Sequence, residues 1–305
     1  MQVRSYLLKL ALFVLPLLMF FVYLEYELRQ IPNDFNYKSG YLEKHADSLE
    51  VLILGSSHSL SFIRPELMKS SAFNAASLHQ TLKFDRLIYE KFKGRMPELK
   101  TVVIPISYGS YFTSLSHGKD KWRLKDYKLY YDYDEVGLYY TLNVLNGSTP
   151  HQIREVLSYK TKNEHLITCS EKGFGLQFSR NAQANLEKTG IKVAKAHTRE
   201  CSDEFIDENV TALDAIIKSC SDRNINVILY TAPAWHTYRE NIDSATMQKT
   251  YDITQKLIKK YSNIKYINYF EDSRFINSDF RDVDHLNENG ATKFTRIFMS
   301  DAGIE

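Results

Sequence analysis

Apolar residues fall into three kinds of run along this chain, and their spacing predicts the elements. The longest, "YLLKLALFVLPLLMFFVYL" over residues 6–24, is apolar on every side, with Lys9 its only charge. At 1.5 Å per residue, about 19 residues just span the ~30 Å hydrocarbon core of a bilayer. Shorter continuous runs, "VLILG" (51–55), "KTVVIPIS" (100–107), "INVILYTAP" (225–233) and "IKYINY" (264–269), read as strands of a parallel sheet, with a further short strand around residues 72–74. Segments with helical spacing lie between or after them, over residues 81–94, 208–224, 243–261 and 287–303, the first expected to end on Gly94 as its cap. Strands alternating with helices imply right-handed βαβ crossovers and so a parallel three-layer α/β fold.

The alternation breaks between about residues 112 and 207. There "DYKLYYDYDEVGLYYTLNVL" is aromatic and mixed in period, and "GFGLQFSR" carries a glycine pair without the third spaced glycine of a nucleotide loop. This stretch reads as an insertion on the α/β core. The predicted order is therefore a cytoplasmic tip and membrane anchor (1–30), a polar connector (31–48), and an α/β domain (49–305) with its insertion at about 112–207.

The flanks of the long apolar run orient it. Arg4 and Lys9 lie at its start while Glu25 and Glu27 follow it, so the positive-inside rule places the N-terminus in the cytoplasm and the rest outside. No small-residue cleavage site follows Leu24, and the run lacks the polar face of a buried soluble helix, which favours a retained single-pass anchor with residues 6–24 in the bilayer. Composition adds one exclusion. A formal charge of +2 without a dense basic stripe argues against a nucleic-acid partner. Cys169, Cys201 and Cys220 show no zinc spacing and leave open one disulfide with a free thiol or three reduced thiols. Asn146-Gly-Ser and Asn209-Val-Thr fit the glycosylation pattern of a eukaryotic secretory pathway.

Chemistry concentrates at two distant places. Ser56, Ser57 and His58 directly follow the first strand, at the sheet edge where ligands of doubly wound folds bind. A serine at a strand-to-helix turn has main-chain N–H groups beside it for a developing oxyanion, but it needs a base oriented by a third group. "FRDVDHLNENGATKF" supplies both: Asp282 and His285, three apart before the last helix, meet within a turn. The plainer alternatives are a polar turn with a helix cap at Ser57, and a structural hydrogen bond at His285. Asp284 is an alternative orienter. A metal bound by Asp282, Asp284 and His285 lacks a second ligand cluster, so neither a metal nor another cofactor is expected. Trp235, His236 and Tyr238, after a later strand, either line a sugar site or pack a loop. The tyrosines of 127–140 read as packing rather than as a glycan platform.

"ILGSSHS" together with "DVDHLN" resembles the SGNH/GDSL hydrolase superfamily. The resemblance covers residues 49–110 and about 205–300. It implies a flavodoxin-like α/β fold, with Ser57 as nucleophile, His285 as base and Asp282 as its orienter. In "FNAASLHQT" it places Asn74 at the family's asparagine and His79 roughly where a glycine N–H contributes to the oxyanion hole. The family's third block ends in an asparagine donor; "PISYGSYF" has none, leaving Ser107, Tyr108 or Ser110 as substitutes. With a membrane anchor, the chain looks like envelope members of the superfamily. These attach or remove acyl groups, often acetyl, on polysaccharides outside the cytoplasm. The expected function is a serine esterase or O-acyltransferase on an envelope glycan, with a membrane acyl-donor protein as a further partner. The alternative is a catalytically inactive protein of the same fold that binds glycan or scaffolds an envelope assembly.

Overall fold

The structure is a computed structural model describing residues 2–178 and 185–304, and it divides into two compact units. The larger comprises Gly40–Lys121 and Thr168–Glu305. Its sheet contains β1 (Val51–Ile53), β2 (Ala72–Asn74), β3 (Thr101–Pro105), β4 (Asn226–Thr231) and β5 (Ile264–Asn268). All four pairings are parallel and the order is β2-β1-β3-β4-β5, the flavodoxin-like order of a doubly wound sheet. The run of β-branched and aliphatic residues in β1, β3 and β4 follows from this placement, because both faces of an inner parallel strand are covered.

Strand alternation divides the core. Val51, Ile53, Val103, Ile228 and Tyr230 join Phe294 and Phe298 of the last helix, Glu288–Ala302, in one apolar cluster. Leu52, Val102, Ile104, Val227 and Leu229 alternate with them and are almost completely buried. Helix Ile206–Asp222 packs on β4 and against helix Leu82–Phe92. The sheet is thus the middle of three layers.

The helix ends obey local chemistry. Asp243 and Asn287 accept the N–H groups of Thr246 and Gly290, capping helices Ser244–Lys260 and Glu288–Ala302. Gly303, at φ +75°, closes the last helix in the left-handed conformation. Gly94 does not do the same. The helix from Leu82 ends at Phe92 and tightens into a 3₁₀ turn, Lys93–Arg95, which leads to the buried Met96, so the glycine sits inside a turn rather than at a left-handed cap.

The smaller unit comprises Met1–Ser39 and Trp122–Ile167. Its helix Gln2–Gln30 is long and apolar enough to cross a membrane, with a mean hydropathy of 2.5 in its most apolar window and most of that window exposed. Toward its C-terminal end Leu24 and Ile31 pack with Val156 of helix Thr149–Lys162. Tyr127 and Tyr131 are buried against Phe35, whereas Tyr139 is half exposed, so most of this aromatic stretch is packing. Residues 31–48 include a helix, Asp34–His45, with Phe35, Lys38 and Leu42 buried.

The three cysteines are free. Asn209 is fully buried and donates to the main-chain oxygens of Tyr111, Thr113 and Phe205, which excludes it as a glycosylation acceptor in the folded chain. The "GFG" turn serves packing. A side chain at Gly173 (φ +88°) would meet the Asn74 carbonyl oxygen at 2.1 Å, and the Lys172 carbonyl accepts the Asn74 N–H; residues 179 and 180 of that motif lie outside the described residues.

β1 leaves the sheet through Gly55, at φ +115°, where a Cβ would lie 2.2 Å from Cδ of Pro105. Gly55→Ala therefore combines a disfavoured backbone with a clash against a rigid ring. It is expected to lower the thermal midpoint by about 10 °C or more, read by circular dichroism. Gly94→Ala, with no neighbour within 4 Å, should move it by no more than about 2 °C.

Candidate active site

Gly55 turns the chain so that Ser57 begins a short helix, Ser57–Phe62, at the carboxyl end of β1. Ser57 and His58 stand in its first turn, where main-chain N–H groups have no intrahelical acceptor. On the other side, Asp282–His285 form a tight turn before the last helix. Phe280 and Leu286 form an antiparallel bridge, and Gly290 lets the helix start lie against Asp279, whose carbonyl oxygen would be 2.1 Å from any Cβ.

The turn delivers the two expected partners to Ser57. His285 Nε2 lies 2.9 Å from Ser57 Oγ, and His285 Nδ1 lies 2.9 Å from Asp282 Oδ1. The carboxylate only accepts, so in the neutral ring Nδ1 carries the hydrogen and the lone pair of Nε2 faces the serine hydroxyl. Asp282 Oδ1 also accepts the main-chain N–H of His285 at 2.9 Å, which locks carboxylate and imidazole into one turn. The geometry is that of a nucleophile, a base and an orienting acid.

Asp284 takes a different place. It is buried, its Oδ1 lies 3.4 Å from His285 Nδ1, and its Oδ2 lies 3.7 Å from His197 Nδ1 and 3.8 Å from His58 Nε2. It makes a longer contact to His285 than Asp282 does and acts as a shared negative charge beneath three imidazoles. Burial alone would raise its pKa, but His285, His58 and His197 hold it well below the usual carboxylate value. Burial likewise opposes charge on His285, yet Asp284 and Asp282 more than offset it and raise that imidazole above its ordinary value. His58 goes the other way, lowered by burial and by the neighbouring imidazoles His285 and His197 against the pull of Asp284.

The four oxyanion or substrate candidates separate. Asn74 does not face the site. It is fully buried, its amide donates to the carbonyl oxygens of Ser59 (2.8 Å) and Ile63 (3.0 Å), and its side-chain oxygen accepts the Ala76 N–H. It ties β2 to the short helix instead of offering a hydrogen to a ligand. His79 stands at φ +58°, the left-handed conformation that glycine adopts freely, so the backbone shape expected of a glycine persists there. Ser107 Oγ is 2.5 Å from His58 Nδ1, and Tyr108 is buried, its hydroxyl paired with Thr198 and accepting the Asp243 N–H.

Ser57, His285, His79, Ser107 and Tyr108 border one cavity of about 770 Å³. It opens at the carboxyl ends of β1 and β3, where the 2-1-3-4-5 order changes direction. Much of its far wall comes from residues 109–120 and 197–205, including Lys119, Asp120, Arg199 and Glu200. Trp235 and His236 are not in that wall; both hydrogen-bond to Glu187, and only Tyr238 of that loop reaches the cavity. Asp85 is a member that sequence reasoning misses. It is buried, accepts the N–H of Gly55 and the amide of Gln80, each at 2.7 Å, and burial pushes its pKa up to about 7. His197 is another, carried by helix Leu186–Glu200 in the part of the chain that lacks periodic strands. No spacing signal marks either residue, since each acts only through contacts made by folding.

His58, Asp284 and His285 each bring a potential metal-ligating atom within 4.8 Å of the others, a set assembled from both ends of the chain. Within these residues His285 Nδ1 is engaged by Asp282, and His58 Nε2 by the Asp284 carbonyl oxygen at 3.1 Å.

No protein-family model matches the chain, and no curated protein matches it. Among solved structures it is similar to a GDSL-like lipase from Bacteroides thetaiotaomicron, at 13% identity and a TM-score of 0.40 over 88% of this chain and 98% of that one. It is also similar to a variant of an acetyl-xylooligosaccharide esterase from Geobacillus, at 13% identity and a TM-score of 0.40 over 85% of this chain and 96% of that one. Both likenesses are remote.

Because His285 is raised, its neutral form appears only at higher pH. The rate at which an electrophile labels Ser57 should therefore climb through a midpoint above the ordinary imidazole value of 6.5. Asp284→Asn removes one of the two charges holding the proton, so its midpoint should fall by about half a unit or more toward the ordinary value. An unmoved midpoint would remove Asp284 from the electrostatics of the base.

Proposed function

We propose that the chain is a serine ester hydrolase or O-acyltransferase of the SGNH type. The observation that carries this reading is the Ser57–His285–Asp282 relay, with both contacts at 2.9 Å, at the switch point of a 2-1-3-4-5 sheet. Ser57 Oγ attacks the ester carbonyl carbon while His285 Nε2 takes its proton. The tetrahedral oxyanion is met by first-turn N–H groups beside Ser57, with the His79 loop as its neighbour. Collapse breaks the bond to the leaving alcohol, which takes the proton from His285 and leaves an acyl group on Ser57. Water or a second hydroxyl then attacks the acyl carbon while His285 removes its proton; the bond from that carbon to Ser57 Oγ breaks, and the proton returns from His285 to Oγ to complete the cycle.

The reading includes an anchor and a location. Helix Gln2–Gln30 crosses the membrane with Arg4 and Lys9 on the cytoplasmic side, so the site faces outward and acts on acyl esters, acetyl in the first instance, of envelope glycan. The charged and hydroxyl groups in the cavity wall, among them Lys119, Asp120, Arg199 and Ser107, suit a polar substrate segment. A membrane acyl-donor protein would supply the acyl group to Ser57.

A fluorophosphonate probe on the detergent-solubilised full chain tests the chemistry. Wild type should label at Ser57, Ser57→Ala should not label, and His285→Ala should slow labelling by about a thousandfold, because members of such a relay act as a unit. No labelling of wild type would favour the inactive, glycan-binding reading, which the lack of an asparagine donor beside Ser107 supports. Fusing residues 1–30 to a reporter active only outside the cytoplasm checks the topology, and a silent reporter would reverse it.

A further inference from the structure

The hydrogen-bond polarity around Ser107 defines a second feature of the cavity. His58 Nε2 lies 3.1 Å from the main-chain oxygen of Asp284, which can only accept, so Nε2 carries the hydrogen of the neutral ring. The other nitrogen, Nδ1, then has only a lone pair, and it lies 2.5 Å from Ser107 Oγ. Ser107 must therefore donate its hydroxyl hydrogen to His58, and toward the cavity it presents lone pairs alone. A serine so committed cannot donate to an oxyanion, the task that its place after β3 suggests. It is instead an acceptor, made more basic by the hydrogen bond that it donates.

This acceptor does not stand alone. The rings of His58 and His285 are stacked, with centroids 5.3 Å apart and planes 21° apart, so Ser107, bonded to the first ring, and His285 line one cavity as neighbours. A monohydric alcohol has a single O–H and can donate to only one of two such acceptors. A polyol can use both, one hydroxyl meeting His285 and another meeting Ser107. Asp284 completes the arrangement, its carbonyl fixing the His58 tautomer and its carboxylate lying under both rings.

We propose that Ser107, held as an acceptor by His58, forms an acyl-acceptor subsite that binds a second hydroxyl of a polyol such as a sugar, and so favours transfer of the acyl group to a saccharide over transfer to a monohydric alcohol. This rests on the acyl-enzyme reading above. In the transfer step the sugar oxygen bonds to the acyl carbon, the bond from that carbon to Ser57 Oγ breaks, and the sugar proton passes through His285 to Ser57. Ser107 exchanges no proton; it orients the attacking molecule.

Two measurements test the subsite. The first feeds p-nitrophenyl acetate to the detergent-solubilised full chain, with methyl glucoside or methanol as the added acceptor, and quantifies acetylated product against free acetate. Ser107→Ala should reduce the transfer-to-hydrolysis ratio for methyl glucoside about tenfold or more while changing that for methanol less than about twofold, and Ser107→Thr, which keeps the hydroxyl, should restore it. An equal fall for both acceptors, or an unchanged ratio for methyl glucoside, overturns the proposal. So does a burst of nitrophenolate that slows as much as transfer, because Ser107 would then serve the oxyanion. The second measurement needs no turnover: saturation-transfer NMR of methyl glucoside with Ser57→Ala protein should show binding that is lost on adding Ser107→Ala and regained with Ser107→Thr. Absent binding, or binding indifferent to Ser107, overturns the subsite. If wild type releases no nitrophenolate, the acyl-enzyme reading fails by itself and the binding measurement alone decides the subsite.

Discussion

Turning the chain at Gly55 requires three conditions at once: a positive φ, room against the Pro105 ring, and an acceptor for a main-chain N–H. Glycine meets the first two, and Asp85 meets the third by reaching from the first turn of helix Leu82–Phe92. The same carboxylate oxygen takes the amide of Gln80, so one buried group joins the loop after β1 to the loop after β2. The arrangement has a cost. Burial raises the Asp85 pKa from an ordinary 3.8 to about 7, so the folded state prefers its protonated form. The sign follows directly: the charged form penalises folding progressively as pH rises from about 4 to about 7, and in full above that. A carboxylate retained under that penalty indicates how much the position of Ser57 depends on the turn it holds.

The strands were the most legible part of the chain, for a physical reason. Inner strands of a parallel sheet are buried on both faces, so "VLI", "TVVIP" and "NVILYT" stand out as apolar runs against any polar background. Helix starts at Asp243 and Asn287 were equally visible because a capping side chain acts within four residues. The Asp282–His285 pair could be read for the same local reason. That it would meet Ser57 could not be read from spacing alone, since 228 positions separate Ser57 from His285 and only the βαβ alternation says that both lie at one sheet edge. Asn74 shows the limit of reading residue types. An asparagine in the right place for an oxyanion donor spends both amide hydrogens on carbonyls of the short helix, a use that no sequence pattern reports.

Two aspartates two positions apart illustrate how the environment assigns roles. Asp282, about a third exposed, makes the 2.9 Å contact to His285 and accepts the main-chain N–H that shapes the turn. Asp284 is buried beneath three imidazoles, and its Oδ2 has no hydrogen-bond partner. A buried, unpaired carboxylate oxygen is tolerable only where positive charge lies nearby, and His285, whose imidazole is held toward its protonated form, supplies that charge. The division leaves Asp282 to set the tautomer of the base and Asp284 to set how strongly the base holds its proton.

The smaller unit solves a different electrostatic problem. A helix that is apolar for nearly its whole length meets Glu25 and Glu27 at its end, and both are nearly buried. Glu25 is paired with Arg29 one turn on and accepts the main-chain N–H of Val144, while Glu27 is paired with Lys160 of helix Thr149–Lys162. Buried carboxylates are tolerated when paired and hydrogen-bonded, and residues 143–160 provide those partners together with an apolar face of Ile153 and Val156. The part of the interrupting stretch that lies in the smaller unit, residues 122–167, therefore has a purpose separate from the cavity. It packs against the end of the apolar helix and supplies the partners of its two buried carboxylates.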